Sequence, residues 1–291
     1  LDVETLVTGV RAGDTRALAR ALTLVESRSP DARRITAELF ADERSSKLVG
    51  LTGPPGVGKS TLADAIGKVA RARGHEVAIL AIDPTSPFTG GALLGDRARM
   101  DASAEDPGIF VRSMATRGHV GGLAAAAFEA MILLEAAGKD FIVVETVGAG
   151  QDEIEVAAAV DVTVVVLAPG LGDVIQASKA GLMEIADVLA VNKADREGAG
   201  LVAEELHVLG NGVPVHRTVA LDGTGVAGLV DRILEVEGER HLLDAWLHNA
   251  LQSLVRDRIP AERWKEVVAR IEAHELSPYE AAERLLESLR L

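Results

Sequence analysis

The chain contains no cysteine. Disulfides, thiolate metal sites and a cysteine nucleophile are therefore excluded, while the compartment is only weakly indicated. An excess of positive charge is also missing: 44 acidic residues stand against 30 basic ones, the formal net charge is −14, and no lysine/arginine run reaches the length of a tail. Nucleic acid and anionic membrane surfaces are poor partners for such a chain. No apolar run approaches the ~20 residues of a membrane span, and the opening LDVETLVTGVRAGDTRA lacks the layout of a signal peptide. Repeats and low-complexity tracts are absent, and the seven histidines are scattered, which argues against a metal-storage tract. The expectation is a soluble, cytoplasmic protein without nucleic-acid or membrane partners. Its 291 residues suffice for one sizeable α/β core with additions.

Three zones are present. Residues 1–45 read as an N-terminal helical extension: Leu6, Val10, Leu18, Leu22 and Val25 recur at helical spacing, Asp14 can cap one helix, and Ser29-Pro30 opens another. Residues 46–237 alternate short β-branched runs (KLVGLT, EVAILAID, FIVVET, DVTVVVLA, DVLAVNK, VPVHRTVA) with helical segments. Continuous apolar strands separated by helices predict an α/β fold with a mostly parallel, doubly wound sheet covered on both faces. Residues 238–291 return to helix, with a stripe from Leu242 to Leu254 and a cap at Ser277-Pro278. That stripe exceeds what one sheet end needs to cover, so this C-terminal extension is expected to form a homodimer.

GPPGVGKST, residues 53–61, lies between the strand KLVGLT and a helix, the context a phosphate loop requires. In that reading Gly53, Pro54, Pro55, Gly56, Val57, Gly58 and Thr61 line the nucleotide, and the glycines expose backbone amides that cradle a diphosphate. Lys59 reaches the β- and γ-phosphates, and Ser60 ligates magnesium (Mg2+). The loop says nucleoside triphosphate without naming the base. VNKAD, residues 191–195, ends the strand DVLAVNK. The Asp195 carboxylate can accept both the N1 and the exocyclic amino protons of guanine, a donor pair adenine lacks. Asn192 can bond the N7 side, the stem of Lys193 can lie over the ring, and the Ala220 amide of the loop TVALDGTG can meet the guanine oxygen. GTP and GDP are the expected ligands.

Between these motifs, Asp83 ends a strand and Asp96 lies in a Gly-flanked turn, so both can approach magnesium. Arg97, Arg99, Arg112 and Arg117 are candidate γ-phosphate clamps, with nothing in the sequence to choose among them. FIVVETVGAGQDE places Glu145 where many nucleotide switches carry an aspartate three residues ahead of a glycine. In PGLGDVIQASKA, residues 169–180, Gly170 and Gly172 lead from a buried strand into a helix, as a loop that moves is often tethered; Asp173 and Lys179 lie on this candidate switch.

The ordered set GPPGVGKST, AIDPTSPFTGGALLGDRARM, MATRGHVGGLA, FIVVETVGAGQDEIEVA, PGLGDVIQASKAGLMEIAD and VNKAD resembles the MeaB/ArgK family of P-loop GTPases, chaperones of adenosylcobalamin-dependent methylmalonyl-CoA mutase. The resemblance covers nearly the whole chain. It implies a GTP-hydrolysing protein that gates cofactor loading and protects or reactivates the mutase or a related acyl-CoA mutase, with an adenosyltransferase as a further candidate partner. It places Glu145 in the magnesium environment with Ser60, Asp83 and Asp96, and Gln151 as the water-positioning candidate beside the catalytic Lys59 and Glu145. Two departures, Val174 and Ala180, touch the candidate switch and leave nucleotide binding alone. His119 lacks the aspartate two residues before it that a cobalamin-ligand motif carries, so the corrin is expected on the partner and not here. The competing functions are a nickel-delivery GTPase, a kinase linked to amino-acid transport, and a nucleotide-stabilised scaffold.

Overall fold

The computed structural model describes residues 2–42, 46–83, 106–115, 122–146, 159–170, 181–237 and, within 247–289, all but 248, 249, 252, 253 and 257. Three helices come first, α1 (Val3–Arg11), α2 (Thr15–Glu26) and α3 (Pro30–Phe40). Each starts where a side chain takes up amides that the first turn leaves unpaired. Asp2 accepts from Thr5 N at 2.7 Å, Asp14 from Arg16 N and Ala17 N at 2.8 Å, and Ser29 from Asp31 N at 3.3 Å with Pro30 at the first position. Their apolar stripes (Leu6 and Val10; Leu18, Leu22 and Val25; Ile35 and Leu39) are buried.

Seven strands follow among the described residues: β1 (Lys47–Thr52), β2 (Val77–Asp83), β3 (Ile109–Ala115), β4 (Phe141–Thr146), β5 (Val162–Leu167), β6 (Val188–Val191) and β7 (Val215–Arg217). They form one sheet in the order β3-β2-β4-β1-β5-β6-β7, and every pairing is parallel. Strand residues alternate between faces. On one face Val49, Leu51, Ile79 and Val143 pack with α4 (Lys59–Ala72), and Val164 and Ala190 continue the layer with α7 (Val226–Glu235). On the other, α6 (Ala199–Leu209) covers Val165, Leu167, Leu189 and Val191, while α5 (Gly122–Ala136) packs on β2 and carries α1–α3 above it. Two-sided coverage is why the central strands read as continuous apolar runs.

Two points differ from the sequence reading. The run IFVRSMA is a strand, β3, although it does not read as one; among the described residues it lies at the sheet edge with β2 as its only strand partner, and four of its residues are only partly buried, so no apolar run marks it. Arg112, a candidate phosphate clamp, sits in the middle of that edge strand. There it donates to Glu26 of α2 at 2.9 Å and to Thr23 at 3.3 Å, fastening the N-terminal helices to the sheet. These helices share a compact unit with the sheet, Leu1–Leu242; a second unit, Leu243–Leu291, holds α8 (Ala261–Glu272) and α9 (Pro278–Ser288). In this second unit Val267, Ala281 and Leu285 form the buried contact, and α9 opens with a reciprocal capping box of Ser277 and Glu280.

Candidate functional site

β1 lies inside the sheet, with β4, β2 and β3 to one side and β5, β6 and β7 to the other. Ligands of open parallel sheets bind beyond the carboxyl ends of the strands at such a point, and the Gly-rich turn 53–58 leaves β1 there. Three of its glycines hold positive φ: Gly53 at 140°, Gly56 at 82° and Gly58 at 96°. Two are also forced by space. A Cβ on Gly53 would lie 2.1 Å from the Val166 carbonyl oxygen, and one on Gly58 would lie 2.6 Å from Asn192 Nδ2. Gly58 is the N-cap of α4 and offers no side-chain acceptor, so the first amides of α4 are left to bind an anion.

Lys59 stands at the first position of α4. The residue is buried (6% exposed), and its ammonium donates to the carbonyl oxygens of Gly53 at 2.7 Å and Pro54 at 3.0 Å, holding a positive charge inside the turn. Ser60 follows, and its Oγ donates to Glu145 Oε1 at 2.7 Å. Glu145 reaches Ser60 because it alternates with Phe141 and Val143, placing it on the face that α4 covers, in register with Leu51 of β1 and Ala81 of β2. The row matters, since it is the last but one of β4, beside the phosphate loop. A hydroxyl and a carboxylate in contact at a helix N-terminus form an all-oxygen donor pair of the kind magnesium takes. Asp83 ends β2, two residues beyond Ala81, opposite Ala115 of β3. Asp96, Gln151, Asp173, Lys179, Arg97, Arg99, Arg117 and His119 lie outside the described residues.

On the far side of β1, Asn192 follows β6 and is almost fully buried. Its amide is used at both ends. Nδ2 donates to the Val57 carbonyl at 2.9 Å, while Oδ1 accepts from Ala220 N at 3.1 Å and from Thr218 Oγ1 at 3.3 Å. Lys193, in a left-handed conformation (φ 55°), donates from Nζ to the Gly56 carbonyl at 2.5 Å. Backbone bonds complete the brace: Asn192 N to Leu167 O, Ala194 N to Thr218 O and Thr218 N to Val191 O. Asp195 is exposed at the tip of this turn. The phosphate loop, residues 192–195 and the loop 218–225 are thus joined by side chains from positions that the sequence assigns to the base. Sequence reasoning points to Ala220 in that last loop and passes over Thr218, which is wholly buried and turns the Asn192 amide. Its signal was a lone threonine at the end of the run VPVHRTVA.

A model of the family described as "Methylmalonyl Co-A mutase-associated GTPase MeaB" matches residues 18–276. The chain belongs to the MeaB family. A putative GTPase of Pyrococcus abyssi is 42% identical over 313 residues, spanning 99% of this chain and 97% of that protein. The GTPase ArgK of Escherichia coli is 42% identical over 203 residues, covering 68% of this chain and 61% of that one. The mitochondrial methylmalonic aciduria type A homolog of Caenorhabditis elegans is 40% identical over 209 residues, covering 67% and 52%. Among solved structures, a LAO/AO transport system kinase superposes with a TM-score of 0.65 at 26% identity, covering 99% of this chain and 98% of that one. This member of the MeaB family is accordingly a P-loop GTPase with an α/β fold. Among the described residues of this MeaB protein, no helix is long and apolar enough to cross a membrane.

Proposed function

We propose that this MeaB-family GTPase is a switch that gates adenosylcobalamin loading into methylmalonyl-CoA mutase or a related acyl-CoA mutase, and that protects or reactivates that enzyme. The client is supported by the family description across residues 18–276 and by similarity to the methylmalonic aciduria type A homolog. The observation that carries the switch is Asn192, which bonds Val57 of the phosphate loop and Thr218 and Ala220 of the base-side loop at once. A ligand that displaces any one of these groups is felt by the others.

In this reading the nucleotide phosphates take the start of α4, and Lys59 exchanges the Gly53 and Pro54 carbonyls for phosphate oxygens. Ser60 and Glu145, with Asp83 and Asp96, hold magnesium, which when bound supplies positive charge to the β- and γ-phosphate oxygens. Gln151 orients the attacking water. Asp195 reads the two donors of guanine, Asn192 faces its N7 side, the Lys193 stem covers the ring, and the Ala220 amide exchanges the Asn192 Oδ1 for the guanine oxygen. Asp173 and Lys179 report the bound nucleotide to the client. The corrin stays with the client, an adenosyltransferase supplies it, and residues 238–291 pair two copies of the chain in the cytoplasm.

The test is phosphate release from GTP with and without purified methylmalonyl-CoA mutase. Stimulation by the mutase is expected, with Glu145→Gln keeping nucleotide affinity while slowing release and raising the magnesium requirement. No release in either condition would leave a scaffold. The likeness to a LAO/AO transport system kinase favours a second reading, phosphoryl transfer to protein. GTP labelled in the γ-phosphate separates the two, because hydrolysis puts the label in free phosphate and a kinase leaves it on protein.

A further inference from the structure

α6 packs on β5 and β6 through Ala199, Ala203 and Leu206, which is the one apolar stripe a surface helix needs. It carries a second one. Leu201 is 67% exposed and Val208 79% exposed, seven residues apart on the outward face, and Glu204 and Glu205 lie between them, also exposed. Isolated exposed leucines are ordinary. Here they are not isolated: of the large apolar side chains exposed in the described part of the first unit (Phe40, Leu201, Val208, Leu209, Leu221 and Leu234), three belong to α6. Such a concentration on one helix marks an interaction surface.

The charge pattern selects the occupant. In an isologous contact between two copies, with the two-fold axis crossing α6, the helix would meet its own image antiparallel. Leu201 would then oppose Val208, and Glu204 and Glu205, at the midpoint of the stripe, would oppose Glu204 and Glu205 of the second copy. Four carboxylates would converge at the centre of the contact, in chains that each carry a formal −14. Like charges placed opposite one another disfavour a pairing. A different protein with basic side chains at the centre of an apolar segment meets the same face without that penalty.

We propose that the outward face of α6 is where the mutase docks, through a segment that sets Lys or Arg against Glu204 and Glu205 between apolar contacts to Leu201 and Val208. This rests on the reading of the protein as a mutase-associated GTPase. All four residues are exposed, and none is among those placed in the nucleotide site.

The experiment is calorimetric titration of purified methylmalonyl-CoA mutase into the GTP-loaded full chain, using wild type, Leu201→Asp/Val208→Asp and Glu204→Lys/Glu205→Lys. Wild type should bind, with affinity falling as salt rises. Each double variant should bind at least tenfold more weakly while hydrolysing GTP alone within twofold of wild type, which shows that the fold and site are intact. Wild-type binding matched within twofold by both variants would overturn the surface and leave the client standing. No binding by wild type would remove the client and, with it, the occupant named here. Self-association of wild type that Leu201→Asp/Val208→Asp abolishes would assign the face to a second copy and overturn the proposal.

Discussion

Asn192 and Asp195 are two residues of one motif in different settings. Asp195 is exposed, whereas Asn192 is buried and its amide holds the phosphate loop against the loop 218–225. Exchanging Asp195 for Asn should shift preference from guanosine toward xanthosine nucleotides, because xanthine carries a carbonyl where guanine has an amine. Thr218→Val should instead weaken GTP and GDP together, by about 5- to 10-fold for the loss of one buried hydrogen bond, with base preference unchanged. Competition binding against a fluorescent guanine nucleotide measures both; Thr218→Val at wild-type affinity would show that the amide needs no such support. A second residue-scale effect lies away from the site. Glu129, partly buried on α5, has its carboxyl pushed up to about 7 by burial, which Arg33 and Arg28 only partly offset. The native state therefore holds a proton that the unfolded chain has already released above pH 4.5. Stability is unaffected below that pH, falls as pH rises toward 7, and is lower by roughly 3 kcal/mol above it. Glu129→Gln should raise the melting temperature clearly at pH 8 and hardly at pH 5; equal gains at both would remove the titration as the cause.

At the scale of elements, the contrast between β3 and its neighbours shows what the sequence can disclose. β4 and β5 are buried along their length, and β1 is buried after Lys47, so they announce themselves as apolar runs, whereas β3 is an edge strand whose residues 110–113 are only partly buried. Its place is secured by a tie that no local pattern reveals, Arg112 to Glu26 across 86 positions. Arg112→Ala should lower stability by about 1 to 3 kcal/mol in urea denaturation, because the pair is largely withdrawn from water, and leave GTP turnover unchanged. A loss of turnover with stability intact would return Arg112 to the list of phosphate clamps. Helix starts were more legible. Asp14, Ser29 and Ser277 each cap the helix that their position beside a helical stripe or a proline predicts, since N-capping needs only a short acceptor and the next two or three amides.

On the scale of the whole molecule, the second unit shows a small core among its described residues. α8 and α9 bury Val267, Ala281 and Leu285 between them, with Ile259 and Ile271 alongside, and Leu247, Leu251 and Leu254 are exposed. So small a core is marginal without a further surface to cover. If residues 238–291 pair two chains, light scattering should give a dimer for the intact protein and a monomer for a chain ending near 237 that still binds GTP. A monomer in both cases would assign the exposed leucines to another role.

The strand-loop-helix around GPPGVGKST and the alternation of buried strands and helices were determined by the sequence alone, because each depends on neighbours within a few positions of the chain. Only the tertiary structure decided that Glu145 meets Ser60, 85 positions away, that Asn192 is spent on Val57 and Ala220, and that Arg112 serves the N-terminal helices. These contacts follow from the order of strands in the sheet and from which face each residue occupies. Local pattern cannot fix the order, since parallel neighbours such as β1 and β4 are brought together by crossovers from distant parts of the chain.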